Sequence, residues 1–251
     1  MTEQDEDVIF NRFKSGPDFT PEELIVLTGH GKQSVRVQVA KHLQCPPQAM
    51  KILSSDESVA VRVLVAAHEA CPSELLTEFA RNKDWALRAA VAGNKSSCPE
   101  LLLELNEDNV ISVVHDVALN PACPVAVMWD HYHGGNYHVL SYVVENPSCP
   151  LPLLLLSCEA DDPELQKTAI QAAQGALPDA WAKGFAEGMR LNLPVEGGSR
   201  ESTLGDDLLK HGLVQAYQLI QGLELEANIK PLLTAADVPM PISPPRARTR
   251  L

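Results

Sequence analysis

The chain reads as an all-α protein, a short α-solenoid of helical units about 26 residues long. Three observations point there. Cys-Pro pairs stand at Cys45-Pro46, Cys71-Pro72, Cys98-Pro99, Cys123-Pro124 and Cys149-Pro150, with spacings of 26, 27, 25 and 26. Arg36, Arg62 and Arg88 are each 26 residues apart. Four positions after each arginine, and in phase beyond them, lie Ala40, Ala66, Ala92, Ala118, Val144 and Ile170, a column of small or apolar residues.

Each unit runs from Cys-Pro into a Leu-rich segment (SELLTEF, ELLLEL, LPLLLL), then a polar turn, then an apolar segment (VRVQVA, VRVLVA, LRAAVA). Proline after the cysteine suits the first turn of a helix, where its missing N–H leaves no bond unmade. Asp56, Asp84 and Asp108 occupy the polar turn, where a short side chain caps the helix that follows. Asn94, Asn120 and Asn146 stand where that helix ends. Val59, Val61, Val63 and Val65 alternate with the period of a strand. Their counterparts LRAAVAGN and QKTAIQAAQ are Ala-rich and poor strand formers, and equivalent segments share one structure, so helix is the expectation for all.

A unit of this length with Val-Arg, Ala, Asn or His, Cys-Pro and a Leu pair resembles the leucine-rich repeat variant family, over roughly Thr20 to Arg190. The resemblance implies a right-handed solenoid of about seven repeats, HEAT-like, each pairing an α-helix with a short α- or 3-10 helix and containing no strand. One founding member of that family holds an iron–sulfur cluster on cysteines grouped ahead of its repeats. No such group exists here, so that cofactor is not carried over.

Four regions follow: an acidic N-terminal segment and cap (1–19), the solenoid (20–190), a C-terminal helical region (191–236) and a Pro-rich basic tail (237–251) expected to be poorly ordered. Within the third, PVEGGS at Pro194 to Ser199 reads as a linker, Leu204 to Leu223 as one amphipathic helix, and residues 225–236 as another short helix against it.

Hydrophobic residues make up 45%, enough for a packed core. No apolar run approaches the ~18–20 residues that span a bilayer. The start, MTEQDEDV, is acidic where a secretory signal is basic, so a cytoplasmic protein with reduced cysteines is expected. Net charge is −13; taking out the three arginines of the last fourteen residues, which carry no acid, leaves −16 on residues 1–237. Such a body repels nucleic-acid phosphates and attracts a basic protein, though the same charge also serves solubility.

Three groups of residues carry candidate chemistry. The cysteine column invites a metal, but equivalent residues stand roughly 8–10 Å apart by helix-packing distances, and no CxxC occurs; buried small hydrophobes are the simpler role. The arginine column suggests a phosphate row or, more simply, salt bridges between neighbouring units. The segment from Trp129 to His138 breaks the repeat pattern. Trp129, Asp130, His131, Tyr132, His133 and Tyr137 are the candidate partner-binding residues, because Trp and Tyr dominate binding hot spots. Metal ligation by Asp130, His131, His133 and His138, or ordinary packing, are the alternatives; an i, i+2 histidine pair does not share a helix face.

No GxSxG, P-loop or GxGxxG motif occurs, and no catalytic residue, cofactor or metal is assigned. The expected function is a non-enzymatic scaffold, adaptor or inhibitor whose acidic solenoid binds a basic protein, a toxin-neutralising immunity protein being one form. Nucleic acid and membrane are not expected partners. A DNA glycosylase-like enzyme and a metal or redox protein remain alternatives.

Overall fold

A computed structural model describes residues 9, 11–13, 19–198 and 201–236, with side chains described as far as residue 230. Most of the acidic start and the whole basic tail (237–251) lie outside the described residues. The protein is all-helical: no strand occurs among the described residues. It divides into two compact units, residues 1–153 and 154–251.

The first unit is a succession of short helices: α1 (Pro21–Leu27), α2 (Gln33–Lys41), α3 (Pro47–Leu53), α4 (Val59–Ala67), α5 (Ser73–Ala80), α6 (Trp85–Ala92), α7 (Pro99–Asn106), α8 (Ile111–Leu119), α9 (Val125–His133) and α10 (Tyr137–Glu145). Each even-numbered helix packs on the next even-numbered one, and successive helices pack as hairpins. The alternating valines are explained by this arrangement. Two residues along a helix turn the chain about 200°, so Val61 and Val65 are fully buried while Val59 and Val63 face outward. The same inward triplet recurs as Val35-Val39-Ala40, Val61-Val65-Ala66, Leu87-Val91-Ala92, Val113-Val117-Ala118 and Val139-Val143-Val144, all buried. Across from it, Leu75, Leu76 and Phe79 of α5 and Leu101, Leu102 and Leu105 of α7 complete the core.

Two polar ladders tie the pairs together. Asn94 Nδ2 donates to the carbonyls of Ala66 and His68, at 2.7 and 2.9 Å. Asn120 does the same to Ala92 and Asn94, and Asn146 to Ala118 and Asn120. Each asparagine also accepts the N–H two residues on, which shapes the turn after the helix. His42 and His68 hold the same place earlier in the chain: their Nδ1 accepts from Gln44 and Ala70. With its Nδ1 lone pair so used, His68 carries its proton on Nε2 and donates it to the His42 carbonyl at 3.0 Å.

The arginine column is the second ladder. Arg36, Arg62 and Arg88 each donate from Nη1 to the carbonyls six and five residues earlier. Arg36 then forks onto Asp56, and Arg88 onto Asp108, through Nε and Nη2. Arg62 lacks the equivalent pair because the position twenty residues on is Asn82. Asp56, Asn82 and Asp108 each accept the N–H two residues on, closing the turn before the next helix. Asp84 itself is the cap of α6, accepting from Ala86.

The cysteine column differs from the sequence expectation at one place. Cys45, Cys71, Cys123 and Cys149 donate their N–H to residues 42, 68, 120 and 146, but the N–H bonded to Asn94 is that of Ser97. Those positions are spaced by 26 throughout; the uneven 27 and 25 arise because serine occupies the buried site and Cys98 has slipped one residue, to the exposed cap of α7. Burial pushes the thiols of Cys45, Cys71 and Cys123 up to about 11, and those of Cys149 and Cys158 up to about 12. These groups stay protonated and poorly nucleophilic at neutral pH. A thiol reagent applied to native protein therefore titrates one fast cysteine, Cys98. Cys98→Ser removes that phase; a second equally fast thiol in the variant contradicts the assignment.

The second unit contains α12 (Pro163–Gly175), α13 (Pro178–Ala186), α14 (Leu204–Lys210) and α15 (Val214–Ala236); α11 (Leu151–Ser157) precedes them. The amphipathic segment expected as one helix from Leu204 to Leu223 breaks at Gly212. That glycine has φ +70°, and the N–H groups of Gly212 and Leu213 close back on Leu209 and Leu208, a glycine-terminated helix end. The short helix expected over 225–236 is instead continuous with α15. The stretch read as a linker is anchored at Val195 and Gly198, while Pro194, Glu196 and Gly197 are exposed and Ser199 lies outside the described residues. Val195 is buried, Leu191 donates to Glu224 and accepts from Gly205, and Leu193 accepts from Leu204. Composition suggested a linker because glycines there read as freedom; Gly198 instead permits close approach to Leu156.

His42 supplies an acid-sensitive contact. Burial, with the neighbouring His68, holds its pKa below the usual histidine value. The unfolded chain takes up that proton near pH ~6.5, so stability is fully present above that pH and declines as pH falls toward the folded value. His42→Asn keeps an acceptor for the Gln44 N–H and should remove the His42 share of the decline between pH ~6.5 and the carboxylate range, leaving that of His115 and His131. Unchanged pH dependence in a urea titration series would refute this assignment.

Candidate partner-binding site

Trp129, Asp130, His131, Tyr132 and His133 form the last turn and a half of α9. The helix stops at Gly134-Gly135. Gly135 adopts φ +65°, and the N–H groups of Gly135 and Asn136 bond back to Tyr132 and His131, so the chain reverses tightly into α10 with Tyr137 as its first residue.

Three of the six residues come together. Trp129 meets Tyr132 edge-on at 5.8 Å between ring centroids and stacks on His133 at 5.7 Å, and Tyr132 meets His133 at 5.5 Å. Spacings of three and four place all three on one helix face. Trp129 and Tyr132 are half-buried and His133 is exposed, so the cluster is a preformed aromatic surface. Burial, helped by the nearby Tyr137 phenol, pushes the Tyr132 hydroxyl upward, which keeps it a neutral donor.

His131 points elsewhere. Its Nε2 donates to Oδ1 of Asn106 at 2.8 Å, joining α9 to the end of α7. Burial lowers its pKa, and the charges of Asp130 and Glu107 partly restore it. Asp130 and Glu107 are exposed beside it. With Glu74, Glu78, Glu100 and Glu104 they make α5, α7 and α9 acidic on their outer side, where Arg81 is paired with Glu104. Among the described residues, no three His, Cys, Asp or Glu side chains are grouped so as to hold a metal ion. No helix among the described residues is long and apolar enough to cross a membrane.

Sequence reasoning placed Tyr137 with this cluster but missed a second alignment. Val59, Trp85, Ile111 and Tyr137 are the first residues of α4, α6, α8 and α10 and are 38%, 50%, 51% and 49% exposed. They are 26 residues apart, so the phase that exposed the cysteines contained them too. Ala86, Ala89 and Ala90 of α6 are half-buried, so the face that carries Trp85 is low and apolar along that helix. In comparisons with known proteins, the chain matches no protein-family model, no curated protein and no solved structure.

Proposed function

We propose that the chain is a non-enzymatic protein-binding scaffold, adaptor or inhibitor: a right-handed α-solenoid of about seven repeats, of the leucine-rich repeat variant kind, whose acidic surface takes a basic protein. The asparagine contacts that recur every 26 residues support the repeat reading. The observation that carries the binding reading is the preformed aromatic cluster of Trp129, Tyr132 and His133 at the edge of an acidic surface. Tryptophan and tyrosine supply large contact area at small entropy cost, while surrounding carboxylates raise the association rate of a cationic partner. A toxin-neutralising protein that covers a basic toxin is one form of this function, and the cytoplasm is its expected place.

Affinity capture from the native cell, followed by mass spectrometry, tests it. The expected result is one basic protein whose retention falls as salt rises and whose affinity drops on the order of tenfold or more in Trp129→Ala, matching a hot-spot loss of ~2 kcal/mol. Retention that ignores both salt and Trp129→Ala overturns the reading.

A further inference from the structure

The even-numbered helices present a different surface from the Trp129 cluster, and its chemistry selects an occupant. Along α8 the outward positions are Ile111, Ser112, His115, Asp116 and Leu119, and the equivalents of Ile111 on α4, α6 and α10 form the apolar row described above. Asp116 is the acid among the half-buried positions of that face; Glu145, at the Leu119 position of α10, is exposed. The equivalents of Asp116 on α4, α6 and α10 are Leu64, Ala90 and Tyr142, and among the described residues no hydrogen bond or ion pair reaches Asp116. Burial alone raises its pKa, so the carboxylate is held on an apolar surface without the compensation that Asp56 and Asp108 receive. Unpaired charge in such a setting is costly unless a cation arrives. Nearby, His115 stacks on Tyr142 at 4.1 Å and leaves its buried Nε2 without a partner.

The spacing of the row narrows the backbone that fits along it. Packed helices stand about 8–10 Å apart. A β-strand returns a side chain to the same face every ~6.7 Å and falls out of step. A polyproline II segment does so every three residues, ~9.3 Å, and such segments dock on aromatic-lined surfaces. The chain itself carries a Pro-rich sequence with matching chemistry. Residues 237–251 read DVPMPISPPRARTRL, and steps of three give Pro239, Ile242, Pro245 and Arg248: three apolar groups and then a cation. At ~3.1 Å per residue these fifteen residues extend ~46 Å, against the ~24–30 Å that three helix intervals require.

We propose that the Val59–Trp85–Ile111–Tyr137 face receives residues 237–251 of a second copy of the chain, in polyproline II form, with an arginine paired to Asp116. This head-to-tail contact shares Tyr137 with the candidate partner-binding residues but not Trp129, Tyr132 or His133, and it does not depend on the function proposed for them. It produces association that continues beyond a dimer or closes into a ring.

Sedimentation velocity on the full chain tests it. The wild type is expected to self-associate over the micromolar range. Asp116→Lys and the triple variant Arg246→Glu, Arg248→Glu, Arg250→Glu each weaken this at least tenfold, and the chain carrying all four changes regains it. A fluorescent peptide of residues 237–251 binds the triple variant, and adding Trp85→Ala weakens that binding at least fivefold while adding Trp129→Ala leaves it unchanged. A wild type that stays monomeric, or a peptide that binds equally well after Trp85→Ala and Asp116→Lys, overturns the proposal. The charge-swap restoration separates a lost contact from a lost fold.

Discussion

Asn120→Ala is expected to cost the first unit about 3–5 kcal/mol, because it strands several buried groups at ~1–3 kcal/mol each. The amide donates to the carbonyls of Ala92 and Asn94 and accepts from the N–H of Ala122, and the residue is 2% exposed. Alanine leaves the buried Ala92 carbonyl and the Ala122 N–H without their partners, leaves the Asn94 carbonyl with the Ser97 N–H alone, and fills none of the space. At roughly 2–4 °C per kcal/mol for a chain of this size, the unfolding midpoint falls by on the order of 10 °C. Asn120→Asp is the sharper variant. A carboxylate facing two carbonyls is raised in pKa, so its cost grows as pH rises through that value, opposite to the trend of the wild type. Calorimetry at two pH values distinguishes them. A loss under 1 kcal/mol for Asn120→Ala would mean that the ladder is not what holds α8 to α6.

Asp56→Ala should cost about 3 kcal/mol, the lower end for breaking a buried ion pair, since Glu57 still reaches Arg36. Arg36 and Asp56 are 8% and 5% exposed at the side chain and bond at 2.6 Å. Removing the carboxylate also removes the acceptor for the Ser58 N–H at the start of α4. Arg62 provides the internal control. It makes the carbonyl contacts of the other two arginines but has no carboxylate opposite, so Arg62→Ala should cost clearly less than Arg36→Ala or Arg88→Ala. Equal losses at the three positions would show that the carbonyl contacts, not the ion pairs, supply the stability.

The ion pairs also set the response to acid. Burial raises the Asp56 pKa, but the Arg36 hydrogen bond, the Ser58 N–H and the nearby positive charges together bring it below its ordinary value. Asp108 is lowered first of all by its hydrogen bond to Arg88. Both folded values lie below the unfolded ~3.9. Their stabilisation is therefore complete above that pH and is lost as pH falls through the folded values. Asp108→Asn should flatten the stability curve below pH ~4, because the variant has no proton to take up there.

The sequence by itself determined a great deal of the first unit. The 26-residue phase located the helix pairs, the Cys-Pro starts, the arginine column and the asparagine column, because each position repeats one local chemical requirement: a proline at the helix start (the capping residue in Pro46, Pro72 and Pro124, the first helical residue in Pro99), a turn-closing Asp or Asn, a helix-ending amide. Proximity in sequence also gathered Trp129, Tyr132 and His133, since spacings of three and four share a helix face whatever surrounds them.

Tertiary structure decided the rest, wherever the outcome depended on which atoms meet across helices. It exchanged Ser97 for Cys98 at the buried position, turned His131 away from the cluster toward Asn106, and packed Val195 where composition suggested a linker. It also sorted the acids. Asp56 and Asp116 are the same residue type at two different places in the repeat, and among the described residues one meets a guanidinium and the other meets none. Charge and hydropathy are properties of a residue, whereas pairing and exposure belong to the neighbours that folding brings to it, and those neighbours lie twenty or more residues away.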